Sequence, residues 1–175
     1  MNKEELYNLE DRFEFRNILA CEAGQAAEIE AVCFPPNEAC PKEAMTGRTL
    51  KIPELFLVAA DRRSGLIAGF LNGIATDEET FADKFFTDTG LYKPDGKNIM
   101  LLGLDVLPGY RRQGLATEIM RRYAQREAEK GRVRLILTCL DEKIPMYKKM
   151  GFKDLGLSAS VWGEKAWHEM ELKLN

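Results

Sequence analysis

The chain is poor in histidine and lacks the cysteine spacing that metal sites use. Its 175 residues include one histidine, His168, and four cysteines without a C-x-x-C pair. Structural zinc sites need cysteine and histidine ligands in closely spaced pairs. The sequence therefore predicts no bound metal. In a reducing compartment such cysteines stay as free thiols, so we also expect no structural disulfide.

Long apolar runs and a positive net charge are also missing. Apolar runs such as residues 55–60 and 99–104 are far shorter than the roughly 20 residues that a membrane-spanning helix needs. Residues 1–11 are acidic and polar, which is unlike a signal peptide. The formal net charge of −3 gives no general attraction to nucleic-acid phosphates. We expect a cytoplasmic protein with neither a membrane nor a nucleic acid as partner.

What is present is the composition of an ordinary globular protein, with 45% hydrophobic and 30% charged residues. The length fits one domain over residues 1–175, with residues 1–11 as an N-terminal extension.

Apolar periodicity predicts alternating strands and helices. At the centre, a strand at 99–106, a helix from 115 to 130 and a strand at 134–139 form a crossover. The order predicts a mixed α/β (α+β) fold.

The most informative segment, residues 104–117, reads as the end of a strand, a short loop and the start of a long helix. The first N–H groups of a helix lack intrahelical partners and lie at the positive end of its dipole, so they can bind a phosphate. Gly114 and Ala116 are small enough to let a pyrophosphate approach, while Arg111 and Arg112 supply charge. Neither a Rossmann nor a Walker motif is present. An ordinary strand–turn–helix with two solvated arginines is the alternative.

Two motifs in the chain resemble a known family. Arg111-x-x-Gly114-x-Ala116, after an apolar strand and a Val-x-Pro turn, resembles the [RQ]-x-x-G-x-[GA] motif with which GNAT acetyltransferases hold the pyrophosphate of acetyl-CoA. A second segment, at residues 144–152, is similar to the family's FYEKxGF segment. It reads Ile-Pro-Met-Tyr-Lys-Lys-Met-Gly-Phe. The resemblance covers roughly residues 13–174. It is strongest to the arylalkylamine (serotonin) N-acetyltransferase branch, in which Cys40-Pro41 and residues 53–55, 77–79 and 137–147 have counterparts.

The resemblance implies a GNAT-like fold and acetyl-CoA as cosubstrate. The expected fold is a mixed, mostly antiparallel central sheet of about six to seven strands flanked by about four helices. Backbone groups of Leu104 and Val106 are expected to hold the pantetheine arm. The pyrophosphate is expected to be enclosed by one continuous run of residues: Arg111, Arg112, Gln113, Gly114, Leu115, Ala116 and Thr117.

On the acceptor side, three residues stand where the branch packs its amine substrate: Phe34, Pro41 and Trp167. Each also has a structural interpretation. Phe34 and Trp167 are large apolar residues that often lie in a core, and a proline often interrupts a loop.

The chain departs from the branch at two positions of its central strand. The branch has two histidines that help to remove the amine proton, and Met100 and Leu102 stand at those positions. Neither side chain can take a proton. Proton removal then needs another acidic group, a water chain, or an acceptor that arrives neutral. His168 is chemically able to act as a base, although a lone histidine on a C-terminal strand more often packs or lies at the surface. Cys139 is interpreted as a small buried hydrophobe.

Tyr147 matches the family's tyrosine and is the predicted catalytic residue, because a phenol can protonate the departing thiolate. The resemblance implies an enzyme that transfers an acetyl group to a small-molecule primary amine, an arylalkylamine or a polyamine, by direct attack on the thioester. Two alternatives remain open: a protein lysine or N-terminal acetyltransferase, and a non-catalytic acyl-CoA-binding module. A homodimer also remains open.

Overall fold

The computed structural model describes residues 9–175, so most of the N-terminal extension predicted for residues 1–11 lies outside the described part. The described β-strands are β1 (Phe13–Asn17), β2 (Phe56–Asp61), β3 (Ile67–Thr76), β4 (Asn98–Val106), β5 (Arg134–Cys139), β6 (Lys153–Leu157) and β7 (His168–Lys173). The α-helices are α1 (Ala23–Cys33), α2 (Lys42–Lys51), α3 (Lys84–Thr87), α4 (Leu115–Glu129) and α5 (Ile144–Lys149). Residues 9–12 are also helical.

The strands form a seven-stranded sheet in the order β1-β2-β3-β4-β5-β7-β6. The pairs β1/β2, β2/β3, β5/β7 and β6/β7 are antiparallel, whereas β4 and β5 are parallel. Parallel neighbours need a crossover connection, and α4 supplies it. The predicted mixed, mostly antiparallel sheet is confirmed. Short helices such as the four-residue α3 come in addition to the flanking helices that were expected.

Most predicted boundaries lie within two residues of the observed ones, and the largest difference is at β6. The apolar pattern of the sequence predicts a strand over residues 153–161, but β6 ends at Leu157. Gly156 has a φ of 94°, and the register against β7 shifts between Asp154 and Leu157. A left-handed residue of this kind interrupts the ladder. The strand therefore stops earlier than its apolar pattern predicts.

The described residues divide into two compact units. The first runs to Asn72 and also contains Gly103–Met120, and the second contains Gly73–Leu102 and Arg121–Asn175. The single-domain interpretation stays a prediction. None of the described helices is both long enough and apolar enough to cross a membrane.

Each unit has its own buried apolar residues. In the first unit a core is built from α1, α2, β2 and β3, and the rings of Phe56 and Phe70 lie 5.0 Å apart within it. Burying a large apolar side chain contributes about 1.5–3 kcal/mol, so this core fixes both helices against the strands. In the second unit the buried apolar residues include Ile99, Tyr123 and Met170.

Candidate active site

The loop between β4 and α4 turns sharply before the helix begins. The N–H group of Arg111 donates to the carbonyl oxygen of Pro108 at 3.3 Å. Arg112 and Gly114 then take left-handed conformations, with φ values of 61° and 80°. Arg111, just before them, is extended, with φ −75° and ψ 163°. The loop therefore bends through two left-handed residues immediately before α4 begins.

The start of α4 adds further N–H groups to this turn. The first helical hydrogen bond runs from the Glu118 N–H to the Gly114 carbonyl oxygen at 3.0 Å. The N–H groups of Leu115, Ala116 and Thr117 precede that bond, so they have no partner within the helix. Because α4 is 15 residues long, its dipole adds positive potential at the same end. Binding of the pyrophosphate of acetyl-CoA by these residues stays a prediction.

The side chain of Arg111 folds back onto the strand that precedes the loop. Its Nε donates to the carbonyl oxygen of Val106 at 2.8 Å, and the thiol of Cys33 donates to the same oxygen at 3.5 Å. Arg111 therefore holds the loop against the end of β4. The parallel pairing of β4 runs over Asn98–Met100, so Leu104 and Val106 lie beyond the paired stretch. A strand edge of that kind can take an extended chain such as pantetheine.

Phe34 and Pro41 both belong to the first unit. Phe34 follows α1 in an extended conformation, with φ −128° and ψ 146°, because a residue before proline is disfavoured in a helix. Its side chain is half-buried, so part of the ring is available to a ligand. Pro41 is exposed and is the N-cap residue just before α2, where its carbonyl oxygen accepts from the Met45 N–H at 3.0 Å.

Tyr147 and Trp167 both belong to the second unit and are both half-buried. The ring of Tyr147, on α5, lies 5.6 Å from that of Phe152 at an interplanar angle of 70°. The neighbouring Lys148 is exposed. Trp167 lies just before β7, and its indole N–H donates to the Trp162 carbonyl oxygen at 2.7 Å.

His168 and Cys139 are poorly placed for proton transfer. The Nε2 of His168 lies 2.9 Å from a carboxylate oxygen of Asp141, and its Nδ1 lies 3.1 Å from one of Asp154. A general base needs a free lone pair, and both ring nitrogens face carboxylates. Burial raises the pKa of the Cys139 thiol to about 11, which agrees with its interpretation as a small buried hydrophobe.

The sequence interpretation missed a buried polar cluster in the first unit. It consists of four side chains that are each at most 3% exposed: Glu30, Arg48, Asn72 and Asp105. Burial raises the pKa of Asp105 well above its usual value, and the nearby Glu30 carboxyl raises it further. A signal was present in the sequence, because Asp105 is the only charged residue in the apolar run 99–107.

Comparisons with known proteins point to one family. The sequence model of the acetyltransferase (GNAT) domain matches residues 53–154. The serotonin N-acetyltransferase of Mesocricetus auratus is 30% identical over 166 residues, which cover 92% of this chain and 77% of that protein.

Many solved structures are similar in fold, and two of them serve as examples. The loading GNATL domain of CurA from Lyngbya majuscula superposes with a TM-score of 0.79 at 15% identity, over 93% of this chain and 98% of that one. A phosphinothricin acetyltransferase from Sinorhizobium meliloti, solved in complex with AcCoA, gives a TM-score of 0.66 at 17% identity, over 94% of this chain and 89% of that one.

The family match covers more than half of the chain and includes the loop at the start of α4. Together with the identity to serotonin N-acetyltransferase over 92% of the chain, it leads to one conclusion: the chain belongs to the GNAT family and is an acetyl-CoA-dependent N-acetyltransferase.

Proposed function

We propose that the acceptor is a small primary amine, an arylalkylamine or a polyamine, whose nitrogen attacks the thioester directly without a covalent enzyme intermediate. The observation that carries this proposal is the 30% identity to serotonin N-acetyltransferase over 92% of the chain. The half-buried ring of Phe34 at the end of α1 supports it, because an aromatic face can contact the chain or ring of an amine.

Each proposed residue has a defined task. Bound acetyl-CoA supplies an activated acetyl group. The backbone of Leu104 and Val106 positions the pantetheine arm, and residues 111–117 hold the pyrophosphate. Phe34, with Pro41 and Trp167, contacts the acceptor. Tyr147 donates a proton to the departing sulfur.

A panel of acceptors assayed for release of the coenzyme A thiol tests the proposal. The panel contains arylalkylamines, polyamines, peptides with free N-termini and peptides with internal lysines. Faster release of the coenzyme A thiol with a small amine than with any of the peptides supports the proposal. Turnover of the peptides alone would identify a protein acetyltransferase. Tight acetyl-CoA binding without turnover of any acceptor would identify a binding module.

Replacing Phe34 with alanine is expected to raise the KM for the amine about threefold to tenfold, which corresponds to about 0.5–1.5 kcal/mol of lost aromatic contact. The affinity for acetyl-CoA should stay nearly the same, because the pyrophosphate loop does not include this residue. Steady-state kinetics with varied amine, together with calorimetry for acetyl-CoA, measure the two effects separately.

Phe15→Ala is the matched control, because Phe15 is also half-buried but lies on β1. It should leave the KM for the amine unchanged. If Phe34→Ala lowers both affinities and the melting temperature together, Phe34 belongs to the core and does not line an amine pocket.

A further inference from the structure

The segment that carries Trp167 is a closed loop between β6 and β7. It runs from residue 158 to residue 167, and the N–H of Ser158 donates to the carbonyl oxygen of Trp167 at 2.7 Å. Loops of this length whose ends meet are packed mainly by their own side chains. Much of this loop is exposed, because Val161 keeps 69% of its surface accessible and residues 164–166 are exposed as well. Apolar burial therefore holds only part of the loop, and its polar contacts fix the rest.

Within the loop, the indole of Trp167 depends on one backbone carbonyl group. Its Nε1–H donates to the carbonyl oxygen of Trp162 at 2.7 Å, and the Lys165 N–H donates to the same oxygen at 3.3 Å. The N–H of Trp162 donates in turn to the hydroxyl oxygen of Ser160 at 3.4 Å. An indole has a single N–H donor, so the bond to Trp162 sets the direction in which the ring faces. A movement of residues 160–162 would therefore turn the Trp167 ring.

Asp83 holds this part of the loop from outside. It lies immediately before α3, and both of its carboxylate oxygens contact the loop. The Ser160 hydroxyl donates to Oδ1, and the Val161 N–H donates to Oδ2 at 3.1 Å. A hydrogen bond to an ionised carboxylate is roughly twice as strong as a neutral one. The neighbouring Lys84 pairs with Glu78, at 2.6 Å.

Two further contacts join the loop to the same part of the chain. The ring of Trp162 lies 4.6 Å from that of Phe86 on α3, at an interplanar angle of 34°. The Phe81 N–H donates to Oε1 of Glu169 on β7 at 3.1 Å, and the Ser158 hydroxyl donates to the same oxygen at 3.4 Å. α3 and the residues just before it therefore contact the loop both at its base and at its middle. All of these residues belong to the second unit.

We propose that Asp83 is a positioning residue for the acceptor site, which fixes Trp167 in one orientation by holding Ser160 and Val161 beside α3. This inference rests on the proposed function, in which the Trp167 ring contacts the amine. A ring that is already ordered loses little conformational freedom when the acceptor binds, whereas a mobile ring must be ordered by the acceptor itself. Asp83 therefore acts on the binding of the amine and leaves the thioester chemistry to other residues. The effect is greatest for an amine with an aromatic ring, because pairs of rings prefer a defined geometry.

The first test removes one of the two acceptors of Asp83. Asp83→Asn keeps the size of the side chain but replaces a carboxylate oxygen with an NH₂ group that cannot accept a hydrogen bond. The KM for 2-phenylethylamine is expected to rise about threefold to tenfold, the range for ordering one large side chain on binding. Both kcat and the acetyl-CoA affinity should stay the same. Ser160→Ala removes the hydroxyl partner, is expected to give the same pattern, and replaces Asp83→Asn if that variant folds poorly.

Asp88→Asn is the matched control. Asp88 directly follows α3, is exposed, and its carboxylate accepts from the Gly90 N–H at 2.8 Å. The substitution removes a comparable acceptor from the same connection between β3 and β4, and the KM should equal that of the wild type. An unchanged KM in folded Asp83→Asn and Ser160→Ala enzymes would overturn the inference. An equal rise with Asp88→Asn would mean that the whole connection has loosened and would overturn it as well.

A double-mutant cycle shows whether Asp83 acts through Trp167. Trp167→Leu removes the ring, so Asp83→Asn should raise the KM no further in that background. Additive effects of the two substitutions would mean that Asp83 supports the fold in general, which would contradict a positioning role.

The indole N–H groups give a readout without turnover. The chain has two tryptophans, so its nitrogen-15 NMR spectrum contains two indole N–H signals, and the signal that Trp167→Leu removes belongs to Trp167. That proton should exchange with solvent about tenfold faster in Asp83→Asn than in the wild type or in Asp88→Asn, because a freed loop opens more often.

This readout separates the inference from the proposed function. If no amine in the panel is acetylated, the proposed function fails, and an unchanged exchange rate in Asp83→Asn would by itself disprove the link between Asp83 and Trp167. If amines are acetylated but neither the exchange rate nor the KM responds to Asp83→Asn, only the inference about Asp83 fails.

Discussion

Replacing Tyr147 with phenylalanine is expected to lower kcat by about 10²–10⁴-fold, the range for loss of a general acid. The substitution keeps the ring and its contact with Phe152, so the fold and the acetyl-CoA affinity should change little. A thiolate leaves faster when it is protonated, and a phenol is almost wholly protonated at neutral pH. Met146 has no proton to give, and Lys148 is exposed. Single-turnover kinetics measure the chemical step directly.

Tyr92→Phe is the matched control, because it also deletes a hydroxyl from a half-exposed tyrosine of the second unit. Its kcat should equal that of the wild type. A folded Tyr147→Phe enzyme with an unchanged chemical step would show that the proton comes from another group.

Replacing Gly114 with glutamate is expected to weaken acetyl-CoA binding at least tenfold, or about 1.4 kcal/mol. The new side chain would stand where the pyrophosphate approaches the backbone, and its negative charge would repel the phosphates. Gly114 also has a φ of 80°, a conformation that costs other residues about 1–2 kcal/mol. Calorimetry with acetyl-CoA measures the binding, and thermal unfolding measures the strain.

Gly65→Glu separates those two effects. Gly65 lies in the turn between β2 and β3 with a φ of 72°, and a Cβ there meets nothing within 4 Å. Its replacement adds the same backbone strain and the same charge away from the pyrophosphate loop. It should lower the melting temperature and leave acetyl-CoA affinity intact. An unchanged affinity in a folded Gly114→Glu variant would remove the basis for assigning the pyrophosphate to this loop.

The sequence predicted the strand, turn and helix at residues 104–117 well because their determinants are local, whereas the pyrophosphate role of this loop stays a prediction. A strand that ends at Val106, a helix that begins at Leu115 and a glycine between them are all readable within a dozen residues. The left-handed φ at Gly114 agrees with the requirement for glycine there. Arg111 shows the limit of that local information, because its anchoring on the Val106 carbonyl oxygen depends on how the side chain folds back.

The sequence alone determined the order of the elements, the family and the cosubstrate, because periodicity and short motifs act over neighbouring residues. Only the tertiary structure brought together Glu30, Arg48, Asn72 and Asp105. These residues are separated by up to 75 positions in the sequence. Burial in the folded chain, and not their spacing, raises the pKa of Asp105. The structure likewise turned His168 from a candidate base into a side chain between two carboxylates. The surroundings of Asp105 and His168 are formed by contacts between distant segments of the chain. No local sequence pattern predicts such contacts.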